Sequence, residues 1–135
     1  MSARPSGRAA ILVIEHDDVL ASHLHKSLIG AGYAARRAAS AEQTLAMLES
    51  TPVDLILMSV LLPDSDGLVL CSTLKARCTT PIVMLSARDA EVERALALES
   101  GAADWLPTRP VDMRDLLARV ESIVKTHTAA PACRA

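Results

Sequence analysis

Aromatic side chains are almost missing from this chain: one Trp, one Tyr and no Phe in 135 residues. Base stacking on aromatic platforms is thereby excluded as a way of holding nucleic acid, and the core must be built from Leu, Ile, Val, Ala and Met. A basic excess is missing too. Fourteen Lys and Arg face sixteen Asp and Glu, for a net charge of −2, which argues against direct nucleic-acid binding by this chain. No apolar run approaches the roughly 18–20 residues of a membrane span. In the opening MSARPSGRAAILVIEHDD, acids follow after too few apolar residues for a secretory leader, so the expected location is the cytoplasm. Cys71, Cys78 and Cys133 form no C-x-x-C, and neither a disulfide framework nor a zinc site is expected of them.

What is present is apolar material in two alternating rhythms. Half of the residues are hydrophobic and 22% are charged, which suits one domain with a real core. Residues 1–9 and 127–135 read as tails around a domain at 10–126. Ala10–Ile14 is continuously apolar, as in a strand buried on both faces. Asp17 and Asp18 offer caps for a first helix with Leu20, Leu24 and Leu28 on one side, ended by Gly30 and Gly32. Tyr33–Ala38 is a second strand, made polar by Arg36 and Arg37. Ser40 with Gln43 is a capping box for a second helix, with Leu45 and Leu48 facing in.

The rhythm then repeats. Leu55–Met58 is a third strand, Pro63-Asp-Ser-Asp-Gly67 a loop, and Leu70, Cys71 and Leu74 mark a third helix. Pro81–Leu85 is a fourth strand, and Asp89–Ser100 a fourth helix stopped by Gly101. Ala103–Leu106 is a fifth strand, after which Pro107 and Pro110 break the chain. Met113, Leu116, Leu117, Val120 and Val124 give a last helix, capped by Asp112. Five strands alternating with five helices imply right-handed crossovers and one parallel sheet covered on both sides. Sites in such sheets form beyond the carboxyl ends of the strands. The residues to watch are therefore Glu15-His16-Asp17, Ser59, Ser86 and Pro107–Pro110.

Those residues carry a resemblance. ILVIEHDD, DLILMSVLLPDSDG, PIVMLSARD and GAADWLPTRPVD follow one another as four motifs of the receiver domain of bacterial two-component response regulators, and the resemblance runs from about Ala10 to Thr126. It implies a flavodoxin-like or CheY-like (βα)5 fold, a doubly wound parallel sheet of strand order 2-1-3-4-5 in three α/β/α layers. It also implies a phosphorylation pocket at Glu15, His16, Asp17, Ser59, Ser86 and Arg109, with Ser86 and Trp105 as switch residues. A cis peptide is implied at Arg109-Pro110.

The chain departs from the family at its chemistry. The second pocket acid is His16, the phospho-accepting aspartate falls on Ser59, and the lysine falls on Arg109 once one extra residue is allowed. Mg²⁺ prefers hard oxygen ligands, and an imidazole with a neutral hydroxyl is a poor replacement for two carboxylates. Metal affinity is expected to be lost or very weak, with no other cofactor and no metal centre. With His neutral, Glu15, His16, Ser59 and Arg109 sum to about zero charge, and a direct Glu15–Arg109 pair is expected to fill the space of the ion. A hydrolase-like use of Ser59, His16 and Glu15 is disfavoured: neighbouring side chains at a strand end diverge, and no G-x-S-x-G surrounds Ser59. No enzyme activity is expected. Asp64 and Asp66 lie on the loop after the third strand, where Asp66-Gly67 reads as turn and helix-cap chemistry, and His23 and His25 read as solvated helix positions.

What remains is a surface. The resemblance is strongest to the OmpR-like subgroup, whose receivers form homodimers through the fourth helix, fifth strand and fifth helix. It implies charged pairs between Arg94 and Asp115 and between Asp104 and Arg119. The expected role is a phosphorylation-independent module for protein–protein contact. The alternative is the receiver half of a DNA-binding transcription regulator whose winged-helix domain is absent here.

Overall fold

The computed structural model describes residues 8–87 and 91–126. Asp89, the expected start of the fourth helix, lies outside them, as do residues 1–7 and 127–135 of the expected tails, including Cys133. Strand and helix alternate throughout. The first half holds β1 (Ala10–Ile14), α1 (Asp18–Gly30), β2 (Ala34–Ala38), α2 (Ala41–Leu48) and β3 (Leu55–Ser59). The second holds α3 (Gly67–Lys75), β4 (Ile82–Ser86), α4 (Glu91–Glu99), β5 (Asp104–Pro107) and α5 (Met113–Thr126).

All strand pairings are parallel and the order is β2-β1-β3-β4-β5. This is the (βα)5 sheet expected from the sequence. The apolar runs of β1, β3 and β4 occupy the three central places, where both faces are covered. The polar β2 and the proline-ended β5 take the edges, where a missing N–H or an exposed arginine is tolerated. Pro107 thus closes β5, one residue beyond the expected end of the strand at Leu106.

Side chains alternate between two cores. Leu12, Ile14, Ile56, Met58, Ile82 and Met84 pack with Leu70, Cys71, Leu74 and Ala97 of α3 and α4. Ile11, Val13, Leu55, Leu57, Val83 and Leu85 pack with Leu24 and Leu28 of α1 and with Leu116 and Val120 of α5. The helices on the two sides make the three layers.

Local chemistry sets the helix starts. Asp17 Oδ1 accepts from Val19 N–H at 2.9 Å and caps α1. Ser40 Oγ accepts from Gln43 N–H at 3.2 Å, while Gln43 Oε1 returns to Ala39 N–H at 2.8 Å, one residue outside the usual capping box. Asp66 caps α3 through Leu68 N–H at 2.8 Å. α1 runs through Gly30, so Gly32, with φ +97°, is the glycine that turns the chain. Cys71 is a free, buried thiol. Cys78 is disulfide-bonded, where no disulfide framework was expected.

Candidate functional site

The carboxyl ends of β1, β3, β4 and β5 open into one pocket of about 520 Å³. It gathers Glu15, His16, Asp17, Ser59, Ser86 and Arg109, all six residues singled out from the sequence. Thr108, within the segment singled out from the sequence, also lines the wall, and two residues that sequence reasoning did not place there join it: Ala87, and His23 of α1. Val19, Leu20, Val60, Leu61, Leu85 and Val111 complete the lining. His23 follows Val19 by one helical turn, and that spacing is the signal that puts both on the pocket side of α1.

Glu15 is the buried acid of the floor, 5% exposed. Its Oε2 accepts from Asp17 N–H at 3.0 Å. Burial raises its pKa above the usual glutamate range, and the Asp17 carboxylate adds to this. Hydrogen bonds from Asp17 N–H, from the Ser59 side chain and from His16 N–H pull the other way. Ser59 ends β3, opposite Leu85 of β4, and its hydroxyl is turned to Glu15.

The expected Glu15–Arg109 ion pair does not form. Arg109 is exposed at the rim and makes no ion pair or hydrogen bond with a described residue. Asp17 N–H donates to the Glu15 carboxylate within the floor. Thr108, whose N–H donates to Ser86 O at 2.8 Å, takes the place next to β4. Arg109 comes one step later and is carried to the mouth. Arg109-Pro110 is the cis peptide that the resemblance implies. No hydrogen bond joins the His16 ring to Ser59 or to the Glu15 carboxylate among the described residues, so no nucleophile–base pair is assembled.

Mg²⁺ is the ion this family implies, and the donor set does not fit it well. One buried carboxylate, the Asp17 carboxylate engaged in capping α1, a neutral hydroxyl and an exposed imidazole are a poor set of hard oxygens for it. Among the described residues no three His, Cys, Asp or Glu side chains gather as metal ligands.

Ser86 is buried, and its hydroxyl donates to Glu93 Oε1 on α4. Trp105, the other implied switch residue, is 8% exposed in the core shared with α3 and α4 and does not line the pocket. Its ring follows the pleat to the opposite face from its neighbour Leu106. The Trp105 indole Nε1 is buried without a partner among the described residues.

On the far side, Arg119 of α5 forms a forked pair with Asp104, at 2.9 and 2.8 Å, and reaches Asp115 Oδ1 at 3.1 Å. These contacts lie within one chain. Arg94 of α4 is exposed and makes no ion pair with a described residue. Beside it, Val92 and Leu96 expose an apolar stripe at 71% and 44%, which sequence reasoning missed because both sit inside a helical period.

Comparison with known proteins places these features. The family description "Response regulator receiver domain" matches residues 11–121. The transcriptional regulatory protein BaeR of Escherichia coli is 37% identical over 115 residues, covering 85% of this chain and 48% of BaeR. The transcriptional regulatory protein CpxR of Klebsiella pneumoniae is 38% identical over 115 residues, covering 85% of this chain and 49% of CpxR. The sensory transduction protein RegX3 of Mycolicibacterium smegmatis is 32% identical over 116 residues, covering 86% of this chain and 50% of RegX3. The chain thus spans about half the length of these relatives. The receiver domain of the TMAO respiratory system response regulator TorR superposes with a TM-score of 0.83 at 29% identity, covering 88% of this chain and 98% of that one. A two-component response regulator from Clostridium difficile superposes at 0.84 with 29% identity, over 87% and 97% of the two chains. Sequence, topology and pocket position agree, and the chain belongs to the response regulator receiver domain family.

Proposed function

We propose that this chain is the receiver half of an OmpR-like DNA-binding transcription regulator, and that it passes its signal through protein contacts without an aspartyl phosphate. The first part is carried by one observation: relatives 37–38% identical and named transcriptional regulatory proteins are about twice as long as the matched segment. The receiver then spans residues 10–126, flanked by segments 1–9 and 127–135. DNA contact belongs to the other half, and the setting is the cytoplasm.

The second part is supported by the pocket. Ser59 stands where the family carries its acceptor aspartate, and His16 where it carries an acid. Phosphoryl transfer to a carboxylate needs both the carboxylate and neutralisation of the charge that gathers there. Here the acceptor is a neutral hydroxyl turned to Glu15. Ser86 and Trp105 then hold one switch arrangement, with Ser86 tied to α4 through Glu93. The output is a homodimer through α4, β5 and α5. The exposed Val92 and Leu96 supply apolar contact, and Arg94, Asp104, Asp115 and Arg119 set its register.

The test is a chimera. Residues 1–126 are joined to the DNA-binding half of BaeR and expressed with and without the partner kinase of BaeR. Promoter output that is the same in both strains is expected. An additional His16→Asp, Ser59→Asp chimera is expected to regain dependence on phosphate donors. Output from the parent chimera that follows the kinase, or no output at all, would overturn the proposal.

A further inference from the structure

Both polar groups of the Glu15 backbone are tied to the second strand. The N–H donates to Ala38 O at 3.1 Å. The C=O accepts from Arg37 Nε at 3.1 Å and from Arg37 Nη2 at 2.9 Å. The same Nη2 donates to His16 O at 3.0 Å, and Nη1 pairs with Asp18 Oδ1 at 2.8 Å. One guanidinium therefore joins β2, two successive carbonyls of the β1–α1 loop and the first residue of α1.

The register explains the reach. Arg37 lies beside Val13 in the sheet, two residues before Glu15, and its long side chain runs forward to the loop. Carbonyl oxygens aimed at one point carry converging partial negative charge, and Asp18 adds a full one. Such an oxygen cluster needs a cation. Here the cation is covalently attached to the neighbouring strand. Asp18, at 89% exposure, is the weak arm of the clamp, because exposed ion pairs are screened by water. The bonds to the two carbonyls are charge-assisted and form a rigid fork. With its peptide held at both ends, Glu15 presents its carboxylate to the pocket, where it accepts from Asp17 N–H at 3.0 Å.

We infer that Arg37 is the resident cation of the β1–α1 loop, a positioning residue that aims Glu15 and orders the start of α1 without a bound ion. This holds whether or not the pocket ever takes a phosphoryl group, and its test does not depend on signalling output.

Amide hydrogen exchange of the whole chain reads it. The reporter is Asp17 N–H, which is bonded to Glu15, and the control is the core of β3. Arg37→Met keeps an unbranched apolar stem and removes every side-chain donor. Asp17 and Val19 are expected to exchange about tenfold faster or more, with the β3 amides unchanged within about twofold. Arg37→Lys keeps the charge but not the fork, and an intermediate rate is expected from it. In the wild type, millimolar Mg²⁺ is expected to leave these loop amides unchanged. Three results would each overturn the inference. One is an Asp17 rate that ignores Arg37→Met. Another is acceleration spread evenly over the sheet, the mark of general destabilisation. The last is loop protection that appears only on adding Mg²⁺.

Discussion

At the scale of single residues, two carboxylates respond to the fold in opposite directions. Burial pushes the Glu15 carboxyl up. The backbone N–H groups of Ala41 and Glu42, at 2.9 and 3.1 Å, hold the Asp64 carboxyl down. The signs follow from linkage. A raised glutamate favours the folded state most at low pH, and that contribution fades as pH rises through the folded value. Replacing Glu15 by Gln removes the buried charge. Glu15→Gln is therefore expected to be the more stable protein at pH 7, with its advantage over wild type shrinking as pH falls through the raised value to the usual glutamate range and constant below it. A lowered aspartate contributes above its unfolded value and loses that contribution as pH falls through the lowered one. Asp64→Asn is expected to be less stable at pH 7, with the deficit closing in acid. Urea melts of both variants at several pH values check this pair, and parallel pH profiles would count against it. Glu15 was legible as a pocket residue because an acid follows an apolar strand. The role of Asp64, bonding α2 from a loop 23 positions away, was not, because nothing in its neighbourhood points to a distant helix.

At the scale of elements, the β3–α3 connection has the least room. A Cβ on Gly67 would stand 2.3 Å from Ser59 O and 2.8 Å from Val60 Cα and O, all backbone atoms. Gly67 N–H also donates to Val60 O at 2.6 Å, which draws the start of α3 onto the end of β3. Gly67→Ala is expected to destabilise by about 1–3 kcal/mol, the usual penalty for forcing an extra carbon into packed structure. Because the clash begins at Ser59, exchange of the pocket amides is expected to rise with it. A thermal melt within about 0.5 kcal/mol of wild type would show that the loop can give way. The sequence marked Asp66-Gly67 as turn and cap chemistry, which it is, but the glycine is there for closeness as well. The same scale explains Trp105. Apolar spacing placed it on a short strand. The pleat then sent its ring toward α3 and α4 rather than to the pocket.

At the scale of the whole molecule, the charges on α4, β5 and α5 are the open matter. Arg119 is already held by Asp104 and Asp115 of its own chain. A dimer built on these residues has to exchange contacts within a chain for contacts between chains, so they set register more than affinity. Arg94, with no ion-pair partner among the described residues, has nothing to exchange. Arg94→Glu is expected to weaken self-association several-fold in sedimentation equilibrium and to leave monomer stability within about 0.5 kcal/mol of wild type. Self-association unchanged in Arg94→Glu would remove Arg94 from the interface.

The sequence by itself determined the order of strands and helices, the burial of β1, β3 and β4, and which residues follow each strand. Those are matters of short-range periodicity and of end chemistry, and both are written in neighbouring residues. Only the tertiary structure decided which partners these residues meet. Glu15 accepts from Asp17 N–H and leaves Arg109 at the rim, Arg37 clamps a loop on another element, and Asp64 caps a distant helix. Each of those contacts depends on how the sheet twists and where a loop comes to rest. Local spacing carries no record of either.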